Sequence, residues 1–393
     1  MLHKNNSAVT EIGVSLSLGI MAWNEERAIV PMLHSLFEQT LFGELAKRNL
    51  QCEIVCIANG CTDRTPAVAA EEFDRQMQEH PFRKNINCRV ANIPERGKLN
   101  AWNKYVHSIS SPTAQFLFLM DADILLHQRE ALWRMFEALS KNKTANVAVG
   151  TPRKHLAFRP NLSWRERLSL QASQITGSAS AQLCAQLYCI RSEIARNIYL
   201  PKDLGACEDG FIKQIVCTDF LTRSSTPERI CLVEQAEHTF EAYTSPAAIL
   251  KNQKRQIIGQ TVVHLLVDDY LRALPLSDRQ HLAATVKGKD QNDPDWLKRL
   301  IRQHLQKTRR FWKLYPGLLA HRLKTLSKLP AAKRLKCLPA AAAGALAAFA
   351  GCWMAYRTLK AGSTDYWPRA QREGLNQTEN KPHQILGIQT NQL

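Results

Sequence analysis

No Cys-x-x-Cys pair occurs in this sequence, although it holds eleven cysteines. An odd count, mostly in apolar surroundings such as Cys52-Glu53-Ile54-Val55-Cys56 and Leu187-Tyr188-Cys189-Ile190, suits neither a disulfide framework nor a zinc site. It fits buried free thiols in a reducing compartment. A secretory leader is also lacking. The apolar stretch 12–23 is short, follows Glu11 and runs straight into Asn24-Glu25-Glu26, so the folded part is expected in the cytoplasm. There is no internal repeat, and a composition of 45% hydrophobic and 22% charged residues excludes collagen-like and fully disordered chains. At 393 residues the chain accommodates one α/β domain with additions.

Acidic residues are missing from one long stretch. Between Lys298 and Lys336 there are thirteen Lys and Arg and no Asp or Glu, which accounts for most of the net charge of +17. Such a block can be a solvated helical face or can meet nucleic acid, an anionic membrane surface or acidic substrates. Leu300, Ile301, Leu305, Phe311, Trp312 and Leu314 draw an apolar helical stripe through it, and Leu338 to Tyr356 then gives nineteen residues without a charge. That length reaches across a bilayer, but alanine contributes little to insertion. Membrane-embedded, surface-lying and internally buried helices therefore stay open. The basic amphipathic neighbour favours an anionic membrane surface over nucleic acid. The polar segment from Thr364 onward is expected to be a disordered tail.

The N-terminal half reads as strands alternating with helices. Val14 to Met21 alternates small polar and apolar residues, and Asn24-Glu25-Glu26 precedes a helical pattern through Val30, Leu33, Leu36 and Phe37. Glu53 to Ala58 is a second strand, stopped by Asn59-Gly60 and followed by a helix starting near Thr65-Pro66. A third begins at Cys88, and a fourth spans Gln115 to Met120. This order predicts a mostly parallel sheet whose ligands gather beyond the carboxyl ends of the strands. Asn24, Asn59 to Asp63, Gly97-Lys98 and Asp121/Asp123 all fall at those ends. Further on, Gly177 to Ser180 is small and mostly polar, Gln186 to Ile190 reads as a strand, and Ser245 to Arg272 as a long helix.

The carboxylate pair in "FLFLMDADILL" demands an explanation, because an unpaired carboxylate in a cleft costs several kcal/mol of desolvation. A hard divalent ion, Mg²⁺ or Mn²⁺, shared with substrate phosphates would offset it. The plainer alternative is a turn, with Asp123 capping a following helix.

Five segments decide between these. "AWNEE", "IANGCTDRT", "ERGKLNAWN", "FLMDADI" and "CEDG", in this order, resemble family 2 inverting glycosyltransferases of the GT-A fold over residues from about 12 to about 260. The fold implied is an α/β, Rossmann-like, mostly parallel sheet flanked by helices, with a helical basic C-terminal region. The expected organisation is a GT-A catalytic domain over 1–245, a basic membrane-proximal helical region over 246–336, an Ala-rich apolar helix over 337–357 and a polar tail over 358–393.

The resemblance implies that Ala22, Asn24 and Glu25 hold the nucleotide base and ribose, with Asn59 and Asp63 near the base. Asn59 stands where the family often has an acid. Gly97 and Lys98 match the family's G-K-x-x-A-x-N segment and would meet the phosphates, with Asp121 and Asp123 holding the metal and His238 as a third ligand. Asp209 would be the base that deprotonates the acceptor hydroxyl, oriented by Glu208. Both acids could instead merely cap a helix. Arg255 matches one position of a segment of processive synthases and would bind the diphosphate, but Asn252 replaces that segment's first Gln and Gln256 its acceptor-stacking Trp, which points to transfer of a single sugar or to a different acceptor site. The expectation is a metal-dependent enzyme at the cytoplasmic face of a membrane. It would move a sugar from a nucleotide-diphosphate sugar, UDP-linked by resemblance, to a hydroxyl acceptor of a lipid-linked or polysaccharide intermediate. The alternatives are a sugar-nucleotide nucleotidyltransferase, against which "AWNEE" counts, and a noncatalytic basic scaffold.

Overall fold

The computed structural model describes residues 14–158, 163, 167, 170, 182–241, 245–308, 311–314, 327 and 331–364. The Gly177–Ser180 segment and the tail from residue 365 lie outside the described residues. The first half runs β1 (Val14–Ala22), α1 (Ile29–Phe37), α2 (Leu41–Lys47), β2 (Gln51–Asn59), α3 (Thr65–Glu79), β3 (Ile86–Ile93), α4 (Lys98–Lys104) and β4 (Phe116–Asp121). Then follow β5 (Leu125–Leu126), α5 (Ala131–Lys141), β6 (Val147–Lys154), β7 (Leu187–Arg191), α6 (Ser192–Arg196), α7 (Glu208–Cys217) and β8 (Ile230–Phe240). The helical C-terminal region comprises α8 (Pro246–His264), α9 (Leu276–Gln280), α10 (Leu282–Asn292), α11 (Trp296–Lys307) and α12 (Ala331–Lys360).

The strands form one sheet in the order β3-β2-β1-β4-β7-β6-β8-β5. Pairing is parallel between β1 and both β2 and β4, between β2 and β3, and between β6 and β8. It is antiparallel where β7 meets β4 and β6, and where β5 meets β8. The carboxyl ends of β1, β2, β3 and β4 thus share one edge, as the strand–helix alternation predicts.

The composition of β1 follows from what covers it. Leu16, Leu18 and Ile20 are fully buried on one face against Leu33, Leu36 and Phe73. On the other face Ser17 and Gly19 leave room for the Tyr105 ring: a Cβ at Gly19 would come 2.6 Å from it. The Tyr105 hydroxyl donates to Ser17 Oγ at 2.8 Å. Each fully buried side chain of this size contributes about 1.5–3 kcal/mol, so both faces of the sheet hold the strand in register.

The C-terminal helices extend the Tyr105 side of the core. Ile257, Ile258, Val262 and Val263 of α8, Val286 of α10, Ile301 and Leu305 of α11 and Ala355 and Leu359 of α12 belong to one apolar cluster with Trp102 and Phe211. The Leu338–Tyr356 stretch lies inside α12, which packs along α8 through small residues. Among the described residues no helix is long and apolar enough to cross a membrane.

Candidate active site

Four loops at the shared edge are stitched together by side chains. Asn24 adopts φ +56°, a left-handed conformation that asparagine tolerates, and its Oδ1 accepts from Thr62 N–H at 2.7 Å. Asp63 accepts from Thr65 N–H at 3.0 Å, Thr65 Oγ1 at 2.5 Å and Glu26 N–H at 3.3 Å. Thr65 Oγ1 lies 2.7 Å from the Glu25 amide that donates to it. The loops after β1 and β2 thereby form one hydrogen-bonded unit at the start of α3.

Asn59 is buried, and its amide serves two backbones. Its Nδ2 donates to Ala22 O at 2.9 Å, and its Oδ1 accepts from Gly97 N–H at 3.1 Å. Where an acid could accept only, an amide does both. The structure gives Asn59 the role of a brace beneath the loops. Gly60, at φ +62°, lies so close to Arg96 that a Cβ would stand 2.8 Å from its Cα. This is the tight turn the sequence suggests. Arg96 in turn rests 3.5 Å over the Trp23 ring.

Lys98 opens α4 directly after Gly97 and reaches two acids that are far apart in sequence. Its Nζ lies 2.8 Å from Asp121 Oδ1 and 3.1 Å from Glu208 Oε1. Burial alone would lower its pKa, but Asp121 and Glu208 outweigh that and hold it well above the ordinary lysine value. Glu208, although burial opposes its charge, is kept below the usual glutamate value chiefly by Lys98. Asp121 is pushed up to about 6 by burial, against the pull of Lys98 and with the added repulsion of Asp123. Asp123 caps no helix: Leu125–Leu126 follow as β5 and pair with Thr239 and His238 of β8.

Glu208 and Asp209 begin α7, after a backbone that few residues tolerate. Gly205 has φ +75°, and Cys207, with a side chain, has φ +142°. Asp209 Oδ1 accepts from Gly210 N–H at 2.7 Å, yet burial and the neighbouring Glu208 push its carboxyl up to about 6. Asp209 thus accepts from an amide in the first turn of α7, while Cys207, at the N-cap, makes no capping hydrogen bond with its side chain. Arg255 of α8 faces the same acids and lowers the pKa of each.

His238 is fully buried inside β8, not beyond the strand's end. Burial holds its pKa down at about 4, so the ring is neutral. Its Nδ1 has no hydrogen-bond partner among the described residues, and its Nε2 lies 3.8 Å from Cys184 Sγ. Among the described residues no three His, Cys, Asp or Glu side chains converge closely enough to hold a metal ion by themselves.

Three further residues shape the site, of which only Asn103, the last residue of the G-K-x-x-A-x-N segment, lies in a motif quoted above. Asn103 exchanges two hydrogen bonds with Leu200, 2.8 Å to its carbonyl and 2.9 Å from its amide, tying α4 to the segment leading to Glu208. Cys184 borders His238 from the opposite side. Gly259 of α8 sits so close to the loop before α7 that a Cβ would overlap the Ala206 carbonyl oxygen and lie 2.5 Å from Cys207 Sγ. An isolated glycine within a helical pattern hints at close packing, but not at what packs there.

Residues 17–180 match the family model of glycosyl transferase family 2. Over this span the chain is similar to family 2 glycosyltransferases. The matched span includes the β1 and β2 loops, Gly97, Lys98, Asp121 and Asp123, whereas Glu208, Asp209, His238 and Arg255 lie beyond it. A comparison with curated proteins gives no match. Several solved structures are similar. A mannosyltransferase of Pyrobaculum calidifontis, in complex with GDP-mannose and Mn²⁺, shares 15% identity over 89% of this chain and 86% of its own, with a TM-score of 0.47. TarS of Staphylococcus aureus, residues 1–349, shares 14% over 88% and 90% with a TM-score of 0.42. Glucosyl-3-phosphoglycerate synthase of Mycobacterium tuberculosis, with Mn²⁺, UDP-glucose and phosphoglyceric acid, shares 16% over 67% and 82% with a TM-score of 0.43.

Proposed function

We propose that this glycosyltransferase moves one sugar from a nucleotide-diphosphate sugar, UDP-linked by its family resemblance, to a hydroxyl acceptor with inversion at the anomeric carbon. The observation that carries the reading is the Lys98 bridge. It joins the strand-end acid Asp121 to Glu208, the neighbour of a carboxyl poised near neutral pH.

In this reading the loops around Ala22, Asn24, Glu25 and Asp63 hold the base and ribose, and Asn59 fixes the distance between them and Gly97. Lys98 and Arg255 face the diphosphate with their positive charges. The acceptor oxygen attacks the anomeric carbon on the face opposite the diphosphate. As the new C–O bond forms, Asp209 takes the hydroxyl proton, while the old C–O bond breaks and its electron pair leaves with the diphosphate. Glu208, ionised and held by Lys98, keeps a negative charge beside Asp209 and so raises its basicity.

The residues at the end of β4 suit a hard divalent cation, Mn²⁺ or Mg²⁺. Asp121 and Asp123 are oxygen donors that repel one another, and substrate phosphates commonly complete such a shell when the protein offers few ligands. His238, buried within β8, does not converge with Asp121 and Asp123 into a three-residue set, so substrate phosphates and water would supply the remaining ligands. Bound there, the cation would act as a Lewis acid toward the departing diphosphate. We take the acceptor to be a lipid-linked or polysaccharide hydroxyl, in keeping with the basic C-terminal region. A screen of nucleotide-sugar hydrolysis with Mn²⁺, with and without chelator, tests the reading. Turnover that survives both chelation and Asp123→Ala would sink it.

A further inference from the structure

Among the described residues of α12, the exposed large hydrophobic side chains face one way. Leu338, Leu346, Phe349 and Trp353 are exposed by 46, 73, 49 and 48%. Their spacing of eight, three and four residues keeps them on one helical face. Arg334 stands on the same face before them, and Arg357 and Lys360 follow, all exposed. The opposite face, with Ala348, Cys352, Ala355 and Leu359, is buried, and Gly351 lets α12 approach Ile257 and Gln253 of α8. The patch continues onto the preceding turn. Phe311 stacks edge-on against Phe349 at 5.0 Å, and Trp312 beside it is 47% exposed.

We propose that this face of α12 lies in the plane of an anionic membrane surface. Four observations converge on that occupant. The apolar stripe is bounded by cations at both ends, the arrangement of a helix seated at the boundary of headgroups and acyl chains. Its aromatic members include two tryptophans, whose amphipathic rings favour that boundary. The chain leading into the helix, residues 298–336, carries thirteen Lys and Arg and no acid, and each basic group near an anionic leaflet adds about 1 kcal/mol of attraction. And since no described helix is long and apolar enough to cross, the surface-lying orientation is the one its hydropathy allows.

The charge also argues against other occupants. A second copy of the chain, seated on this face, would bring two basic segments of like charge together. Nucleic acid would neutralise the cations but would leave exposed leucines against phosphate.

The test uses the full chain and extruded vesicles, either pure phosphatidylcholine or equal parts phosphatidylcholine and phosphatidylglycerol. The chain should cosediment with the anionic vesicles, less so at high salt. The triple variant Leu346→Glu, Phe349→Glu, Trp353→Glu should bind at least about tenfold more weakly, with unchanged circular dichroism and melting midpoint. The triple alanine variant, which keeps the helix and removes only apolar area, should fall between. Equal binding by wild type and both variants overturns the proposal, as does a wild type that ignores anionic vesicles. Light scattering showing a dimer that the Glu variant dissociates, without vesicle binding, would instead make this face an interface between copies.

Discussion

Lys98 Nζ stands 2.8 Å from Asp121 Oδ1 and, on its other side, 3.1 Å from Glu208, so one ammonium links the end of β4 to the start of α7. Replacing it with methionine keeps the stem and removes the charge. Asp121 then loses its ion pair, Glu208 keeps only the weaker pull of Arg255, and under the proposed function the diphosphate loses a cation. Lys98→Met is expected to lower kcat by about 100-fold or more and to raise the donor KM. Steady-state kinetics that leave both constants unchanged would show that the bridge is only structural.

The pH dependence of turnover follows from Asp209. A base must be ionised to accept a proton, and this carboxyl is pushed up to about 6. Turnover should therefore fall as pH drops through about 6 and level off above it. In Asp209→Asn, transfer should drop by about 10²–10⁴-fold while calorimetric donor binding persists. Asp121, also raised to about 6, titrates in the same window, so the pH dependence of donor binding should survive in that variant.

Stability should move the opposite way from activity. The folded pKa of Asp209 lies above the unfolded value of 3.8, so folding disfavours its ionised form. Its contribution is most favourable below pH 3.8 and declines as pH rises to about 6. His238, lowered from 6.5 to about 4, has the reverse sign and gains stability as pH rises through that range. Comparing variant with wild type cancels the histidine. Asp209→Asn should melt about 2–4 °C above wild type near neutral pH. That advantage should vanish in scanning calorimetry toward pH 3.8.

Gly259 and Gly288 offer a contrast within the helical region. A methyl at Gly259 would overlap the Ala206 carbonyl and press on Cys207, next to Glu208 and Asp209. Gly259→Ala is expected to cost about 1–3 kcal/mol and to lower kcat with it. Gly288 in α10 has nothing within 4 Å of a Cβ, so Gly288→Ala should stabilise by about 0.5–1 kcal/mol and leave turnover alone. Denaturant unfolding paired with kinetics separates the two.

Much of the N-terminal half is legible in the sequence, because each motif there ends a strand. Asn24, Asn59, Gly97 and Asp121 follow short apolar runs, and parallel pairing brings such ends to one edge. The bracing role of Asn59 was hidden, since a turn and a two-sided amide bridge look the same in one dimension. Asp123 read as a possible helix cap because Ile124-Leu125-Leu126 is too short an apolar run to tell strand from helix. By resemblance His238 is expected as a metal ligand, and nothing local marks it as a core residue. Its burial depends on β8 lying between β6 and β5.

The sequence by itself determined the order of strands and helices, the acids and glycines at the strand ends, and the one-sided charge of residues 298–336. These are local properties, fixed by side-chain chemistry and spacing. Only the tertiary structure decided that Lys98 meets both Asp121 and Glu208, that Gly259 presses on the Ala206–Cys207 backbone, and which face of α12 is left exposed. Such contacts join residues up to about a hundred positions apart, and their distances follow from the packing of whole helices on the sheet, which no local pattern encodes.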